Sequence, residues 1–267
     1  MSHRPRRRFG QHFLENEAIL EAMAERMAYG RHDPVLEIGP GEGALTHHLI
    51  AASDDVTVVE IDRDLVALLK RRFPGLRIIE ADVLHLDLAP LLVPGRRIVG
   101  NLPYNISTPL LLRLLEMLGG IRDVHFLLQK EVVDRLAASP GSKEWGRLSV
   151  LAQYGAHVEP LFDVGPESFR PPPKVTSTFV RITPRASPLP MRSRDTFGAV
   201  LRAAFQQRRK TLRNALQSLD IDWDLVDVDP SMRPDAVDLA GYVNIANLIA
   251  ELGFDRSART DEKREHE

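Results

Sequence analysis

Short runs of β-branched and aliphatic residues, each followed by a helical pattern, recur through most of this chain, and that alternation constrains its fold more tightly than any other feature. The runs lie near 34–38 (PVLEI), 56–61 (VTVVEI), 76–80 (LRIIE), 96–100 (RRIVG), 123–128 (DVHFLL), 157–164 and 176–183 (TSTFVRIT). Helical periodicity falls near 15–29, 43–52, 63–72, 107–118, 130–138 and 146–154. Strands this continuously apolar are buried on both faces, so an alternating chain must cover a mostly parallel sheet with helices on each side. No helical pattern separates the last two runs, which predicts an antiparallel ending at one edge. The expected fold class is α/β.

After Pro184 the composition changes to "PRASPLPMRSR", and beyond it only helix periodicity remains. This predicts a sheet domain over 1–184, a small all-helical C-terminal domain over 185–254, and a tail over 255–267 too polar to pack and therefore disordered. In the helical part, Leu201, Ala204, Phe205, Leu212, Ala215, Leu216 and Leu219 trace one apolar face. The net charge of −2 hides separated blocks. Residues 1–14 hold Arg4, Arg6, Arg7 and Arg8 without an acid; residues 192–213 hold seven basic residues against Asp195; residues 220–238 hold seven aspartates against Arg233. Such blocks create local fields that a polyanion responds to, unless the two later blocks simply pair with each other. No apolar run approaches the roughly 18 residues of a membrane span, and the Arg-rich start lacks an apolar core, so no membrane partner and a cytoplasmic location are expected. With zero cysteines, disulfides, thiolate metal sites and cysteine-dependent cytosine C5 chemistry are excluded.

"LEIGPGEGAL" leaves the first strand and opens a helix, so its glycines allow a tight turn and close approach of a ligand to that helix start. The segment Gly39-x-Gly41-x-x-Ala44, with Glu60 about 20 residues on to take ribose hydroxyls, fits a Rossmann-like dinucleotide fingerprint. Glu37 and Glu42 discriminate between ligands. Carboxylates there repel a pyrophosphate but attract the ammonium and sulfonium of S-adenosylmethionine, which is the expected cofactor. Asp82, in "IIEADVL", stands at a strand's carboxyl end, where it suits an adenine amine and equally a helix N-cap.

The fourth run ends in "GNLPYNISTPLL", on the same crevice edge. An exocyclic amine on a base is a poor nucleophile because its lone pair is delocalised into the ring. The Asn101 side-chain oxygen and a backbone carbonyl of Leu102 or Pro103 can accept its two N–H bonds and favour a pyramidal nitrogen aimed at the methyl. Tyr104 offers a flat face for an unstacked base. A plain strand-terminating turn that caps a helix from Ser107 or Thr108 is the competing reading.

"RRRFGQHFL", "LEIGPGEGALT", "VVEIDRDL", "GNLPYNISTPLL", "LLQKEVVDRL", "GRLSVLAQY" and "FRPPPKVTSTFVRI" together resemble the ribosomal RNA adenine N6-dimethyltransferase family, in particular its bacterial branch acting on small-subunit (16S) rRNA. The resemblance runs from about Arg6 to Leu252. It implies a Rossmann-like S-adenosylmethionine-dependent methyltransferase sheet and N6,N6-dimethylation of two adjacent adenines in a loop near the 3' end of 16S rRNA, with a role in subunit assembly. Residue by residue, it implies that the segment Gly10 to Leu14 covers the cofactor, with His12 and Leu14 touching it. Gly39 and Gly41 lie beneath it, Glu60 on the ribose, Asp82 at the adenine, and Asn101 beside the methyl and the target amine. Family members often carry Asn where this chain has His12. Phe169 would sandwich the target adenine against Tyr104, although an ordinary core position suits it equally. Lys174, the arm of Arg6, Arg7 and Arg8, and the cluster Arg202, Arg208, Arg209, Lys210 and Arg213 would meet RNA. No metal is expected, and the partner is the small ribosomal subunit, met as a monomer. The alternatives are a large-subunit rRNA adenine dimethylase, which would share every cofactor motif, and a non-catalytic ribosome-assembly or nucleic-acid-binding protein of the same fold. Intact Glu37, Glu60, Asn101 and Tyr104 argue against lost chemistry.

Overall fold

The computed structural model describes residues 11–264 apart from Ser187 and Asp220. The chain divides into two units, one of residues 1–137 and 155–185 and the other of residues 138–154 and 186–267.

The first unit is built on seven strands: β1 (Val35–Ile38), β2 (Val56–Glu60), β3 (Arg77–Glu80), β4 (Arg97–Asn101), β5 (Asp123–Gln129), β6 (Ala156–Val164) and β7 (Ser177–Pro184). Their order across the sheet is β3-β2-β1-β4-β5-β7-β6. Strands β1 to β5 are parallel, while β7 runs antiparallel between β5 and β6, as the missing helix between the last two runs predicts. Helices α1 (Glu17–Met27), α2 (Ala44–Ala52), α3 (Arg63–Arg72), α4 (Tyr104–Leu115) and α5 (Lys130–Leu136) make the crossovers and covers. Sequence sets where each begins. Asn16 and Asp62 cap α1 and α3 by accepting from Ile19 N and Asp64 N, which satisfies donors a helix start leaves open. Lys70, Arg71 and Arg72 end α3 where its dipole is negative. Gly100 lets β4 pass close to β1, because a Cβ there would lie 2.5 Å from the Ile38 carbonyl oxygen. That closeness brings Asn101 beside the glycine loop.

Two local features depart from the expectation. Helix α4 begins at Tyr104 rather than at Ser107 or Thr108, with Pro109 inside it. Proline favours a first helical turn, whereas Pro109 lies beyond the first turn of this helix. Here Pro103 precedes the helix instead, and Ser107 Oγ donates to the Tyr104 carbonyl. A second, two-stranded ladder joins Phe13–Leu14 to Phe169–Arg170, with Leu14 opposite Phe169 and Phe13 opposite Arg170. Two residues per strand are too few to leave a period in sequence.

The second unit packs α6 (Arg147–Gly155), α7 (Arg194–Gln206), α8 (Leu212–Ala215) and α9 (Leu239–Arg264) around Trp145, Phe197, Leu201, Leu212, Leu216 and Tyr242. Residues 138–154 belong to this unit and not, as a boundary at residue 184 implies, to the sheet domain. Trp145 explains the assignment: its side chain is 1% exposed and its Nε1 donates to the Val237 carbonyl at 2.9 Å. The apolar face read across 201–219 is broken by a turn at 207–210, so Arg208, Arg209 and Lys210 sit on a turn rather than on a helix. Helix α9 continues to Arg264, through most of the stretch expected to be disordered. A polar composition argues against packing, but Arg, Lys, Glu and Ala remain good helix formers. No helix among the described residues is long and apolar enough to cross a membrane.

Candidate active site

The carboxyl ends of β1 to β4 open into a cavity of about 670 Å³. Open α/β sheets hold ligands at this edge, where helix starts and strand ends converge. Every cofactor residue expected from the sequence lines it: His12, Leu14, Glu37, Gly39, Gly41, Glu60, Asp82 and Asn101, together with Leu102, Pro103 and Tyr104. Its lining also includes Glu15, Glu17 and Glu42, against a single arginine, Arg72. This excess of carboxyl groups, even with Glu15 and Glu42 paired to Arg170, suits a cationic ligand more than a pyrophosphate.

Glu37, on β1, is 2% exposed, and Thr46 Oγ1 on α2 donates to its Oε2 at 2.6 Å. Burial pushes its carboxyl up to about 8; the Thr46 bond opposes the shift, and nearby Glu60 adds to it. Glu60 ends β2. The Ile61 and Asp62 N–H groups donate to its Oε1 at 2.9 Å each, and Gly41 N–H to its Oε2 at 3.3 Å. Burial raises this carboxyl too, against those backbone bonds. Together they tie the β2 turn to the glycine loop. Gly41 has φ 59°, and a Cβ there would stand 3.0 Å from the Phe13 ring, so only glycine fits beneath that cover. At Asp82, burial acts to raise the carboxyl, but the Leu84 N–H and His85 hold it below the usual range. Asp82 Oδ1 accepts from Leu84 N and Oδ2 pairs with His85 Nδ1, each at 2.9 Å. Asp82 thus caps a turn, not the helix start its position also suited, and lines the cavity.

Residues 11–15 lie over this cavity as a strap. Gln11 Nε2 donates to Asp62 Oδ2 at 3.4 Å, and the His12 carbonyl accepts from Asn101 Nδ2 at 2.9 Å. Arg170 stacks its guanidinium 5.6 Å from the Phe13 ring centroid and pairs with Glu15 and with Glu42, the latter at 2.8 Å. Tyr104 opens α4, and its hydroxyl shares a hydrogen bond of 2.9 Å with Ser177 Oγ on β7. Burial raises its phenol, and the Ser177 bond acts against that.

Phe169 is placed by its ladder with Leu14. It does not line the cavity; it is 5% exposed within the core that holds Leu14, Leu20 and Phe179. Directly opposite residues of an antiparallel pair share a face, and Leu14, opposite Phe169, belongs to the same core and also lines the cavity. What stacks on Tyr104 is His12, with ring centroids 5.5 Å apart and planes 27° apart. Lys174 is exposed and outside the cavity lining. Thr46, Ser177 and Arg170 were not singled out from sequence. Arg170 stood within the FRPPPKV motif, but nothing in the spacing showed that its neighbour Phe169 would turn inward.

The RNA candidates divide. Arg6, Arg7 and Arg8 lie outside the described residues. Arg208 is committed inside the second unit, donating to Asp235 Oδ2 at 3.2 Å and to the carbonyls of Ser142 at 3.3 Å and Lys143 at 2.6 Å. For this one side chain the pairing of the basic and acidic blocks holds. Arg213 lies 5.8 Å from the Trp223 ring centroid and stays exposed, as do Arg202, Arg209 and Lys210.

A family model described as ribosomal RNA adenine dimethylase matches residues 2–251. The chain belongs to the ribosomal RNA adenine dimethylase family. Its relatives include the Ribosomal RNA small subunit methyltransferase A of Pseudomonas aeruginosa, 49% identical over 95% of this chain and 98% of the relative. That of Saccharophagus degradans is 48% identical over 92% and 95%. Among solved structures, 23S rRNA methyltransferase ErmE superposes with a TM-score of 0.72 at 25% identity, covering 89% of this chain and 99% of the other. A dimethyladenosine transferase from Plasmodium falciparum superposes with a TM-score of 0.76 at 24% identity, over 92% and 98%, and shares the fold. The α/β methyltransferase fold expected for this adenine dimethylase is thus the observed one.

Proposed function

We propose that this chain is a cytoplasmic, monomeric enzyme that transfers methyl groups from S-adenosylmethionine to the N6 amines of two adjacent adenines near the 3' end of small-subunit rRNA, and that it acts during assembly of that subunit. The observation that carries the chemistry is the orientation of Asn101. Its Nδ2 is engaged by the His12 carbonyl, which leaves Oδ1, an acceptor, as the atom offered to the cavity. A target amine has two N–H donors, and accepting one of them favours the pyramidal nitrogen that a methyl transfer requires. The rigid Leu102–Pro103 backbone, with φ −53° at Pro103, supports a second acceptor carbonyl beside it.

The residues present fit S-adenosylmethionine. Gly41 leaves space that a Cβ would fill, Glu60 is held by backbone N–H groups with lone pairs to spare for ribose hydroxyls, and the acidic wall suits a cation. When bound, the cofactor supplies an electrophilic methyl on a sulfonium. Glu37 then gains from ionising beside a positive charge, Asp82 accepts from an adenine amine, and the strap of residues 11–15 excludes water. No strong general base is required, because the amine proton can leave after the methyl has moved.

The relatives favour the small subunit as substrate, and the fold shared with ErmE keeps the large subunit as the second reading. Incubation with labelled S-adenosylmethionine and either unmethylated small subunits or large subunits separates them. Label in small-subunit rRNA alone supports the proposal; label in the large subunit alone, or in neither, refutes it.

A further inference from the structure

The loop that carries Asp82 is held from two sides. At its start the Ala81 N–H donates to the Glu60 carbonyl at 3.0 Å, which ties the loop to the end of β2. Residues 82–86 then make a tight turn, in which the His85 and Leu86 N–H groups donate to the Asp82 carbonyl at 3.0 and 2.9 Å. A turn of this kind engages its N–H groups internally and leaves carbonyls open at its far end, as a helix C-terminus does. Arg113, on α4, takes them. Its Nη1 donates to the Val83 carbonyl at 2.9 Å and the Leu84 carbonyl at 3.1 Å, and its Nη2 to the Leu86 carbonyl at 2.6 Å. Leu84 links this guanidinium to the carboxylate: its carbonyl accepts from Arg113, and its N–H donates to Asp82 Oδ1 at 2.9 Å. Asp82, Val83 and Leu84 line the cavity, whereas Arg113 itself does not.

Resting on the reading of Asp82 as the acceptor for the cofactor's adenine amine, we propose that Arg113 is a positioning residue for Asp82 and, through it, a determinant of selectivity for adenine over other purines. A carboxylate tells an amine from a carbonyl at the same ring position only when it is held where the donor will stand, because a hydrogen bond weakens steeply with distance and angle. Asp82 belongs to a loop, and loop backbone stays mobile unless its groups are engaged. A guanidinium suits this task. It presents five donors in one rigid plane and can span several carbonyls at once, whereas a lysine ammonium acts as a point charge. The donors come from a firm support, since Leu110, Leu111 and Leu114 bury the same stretch of α4. The loop therefore takes its position from a packed helix, and a site held on such an element is more exact than one left to a loop. That helix also opens with Tyr104, so one element places both the proposed reader of the cofactor's base and the proposed stacking face for the target base.

The test compares two ligands by calorimetry on the full chain: S-adenosylhomocysteine, and S-inosylhomocysteine, which carries a carbonyl where adenine carries its amine. The wild type should prefer the adenosyl ligand, because a carboxylate accepts from an amine and repels a carbonyl oxygen. In Arg113→Ala, S-adenosylhomocysteine should weaken by roughly tenfold while S-inosylhomocysteine changes by less than about twofold, so the preference narrows by at least about fivefold. Arg113→Lys keeps a charged donor without the fork and should fall between the two, and it carries the comparison if the alanine variant does not fold. That order supports the proposal. A merely structural role would weaken both ligands by the same factor, and this result overturns it, as does an unchanged preference in the variants that fold. A wild type that binds both ligands equally also overturns it, since Asp82 would then have no selectivity to maintain, while the rest of the proposed function would stand. A wild type that binds neither removes the S-adenosylmethionine reading itself, and the role of Arg113 falls with it.

Discussion

Glu37 offers a direct test of why this glycine loop takes a sulfonium rather than a pyrophosphate. Its carboxyl is pushed up to about 8 by burial, with Thr46 as its hydrogen-bond donor. At pH 7 such a group is roughly nine-tenths protonated in the free protein. A cation placed beside it favours the ionised form, so binding S-adenosylmethionine at pH 7 should release nearly one proton, and affinity should rise with pH by up to about tenfold per unit below pH 8. A pyrophosphate ligand would act in the opposite sense. The same shift fixes the stability of the free protein. Because the folded pKa lies above the ordinary 4.5, the native state holds the extra proton between 4.5 and about 8. Glu37 therefore contributes a stability that is complete below 4.5 and falls as pH rises through that window, by on the order of a few kcal/mol. Glu37→Gln keeps an acceptor for Thr46 and cannot ionise. Calorimetric titration with S-adenosylmethionine at pH 7 in phosphate and in Tris, whose ionisation enthalpies differ, reads the protons released. The wild type should show release that Glu37→Gln lacks, and the variant should melt higher than the wild type at pH 9. Equal release in the two proteins would refute the reasoning.

Asn101→Ala removes the acceptor proposed for the target amine and should slow the chemical step by roughly 2–4 kcal/mol, with little loss of cofactor affinity; single-turnover methylation at the wild-type rate would contradict that role. Glu60→Gln sets an amide N–H against either the Gly41 or the Ile61 and Asp62 donors and removes a charged acceptor, so calorimetry should show S-adenosylmethionine weakened by roughly 1.5–3 kcal/mol. The two kinds of arginine separate in one pair of measurements. Reversing Arg209, Lys210 and Arg213 to Glu should weaken small-subunit binding and flatten its salt dependence, with each lost phosphate contact lowering the slope. Arg208→Glu should lower the melting temperature instead, because it places like charge against Asp235 and strips two carbonyls of their donor.

The sheet was legible because its central strands, β1, β2, β4 and β5, are apolar and buried on both faces, the pattern of a covered parallel sheet. The cofactor side was legible because its residues follow strand ends directly: Glu37, Glu60, Asp82 and Asn101 each close or follow a strand and reach the cavity without help from elsewhere. What was not legible depends on pairing across long separations. Phe169 and Arg170 alternate, and which of them turns inward is decided by their register with Phe13 and Leu14, more than 150 residues away. Residues 138–154 read as a continuation of the sheet domain, because Trp145 does not announce in sequence which core it will enter. Arg208 and Arg209 are adjacent and chemically alike. Only the position of Asp235 makes one structural and leaves the other exposed.

The most direct test of the account is to incubate the protein with S-adenosylmethionine and unmethylated small subunits, digest the rRNA to nucleosides, and map the modified positions by mass spectrometry. N6,N6-dimethyladenosine at two adjacent adenines near the 3' end, formed much more slowly when Asn101→Ala replaces the wild type, is the predicted result. Monomethylated or C-methylated products, or methylation spread over unrelated adenines, would contradict it.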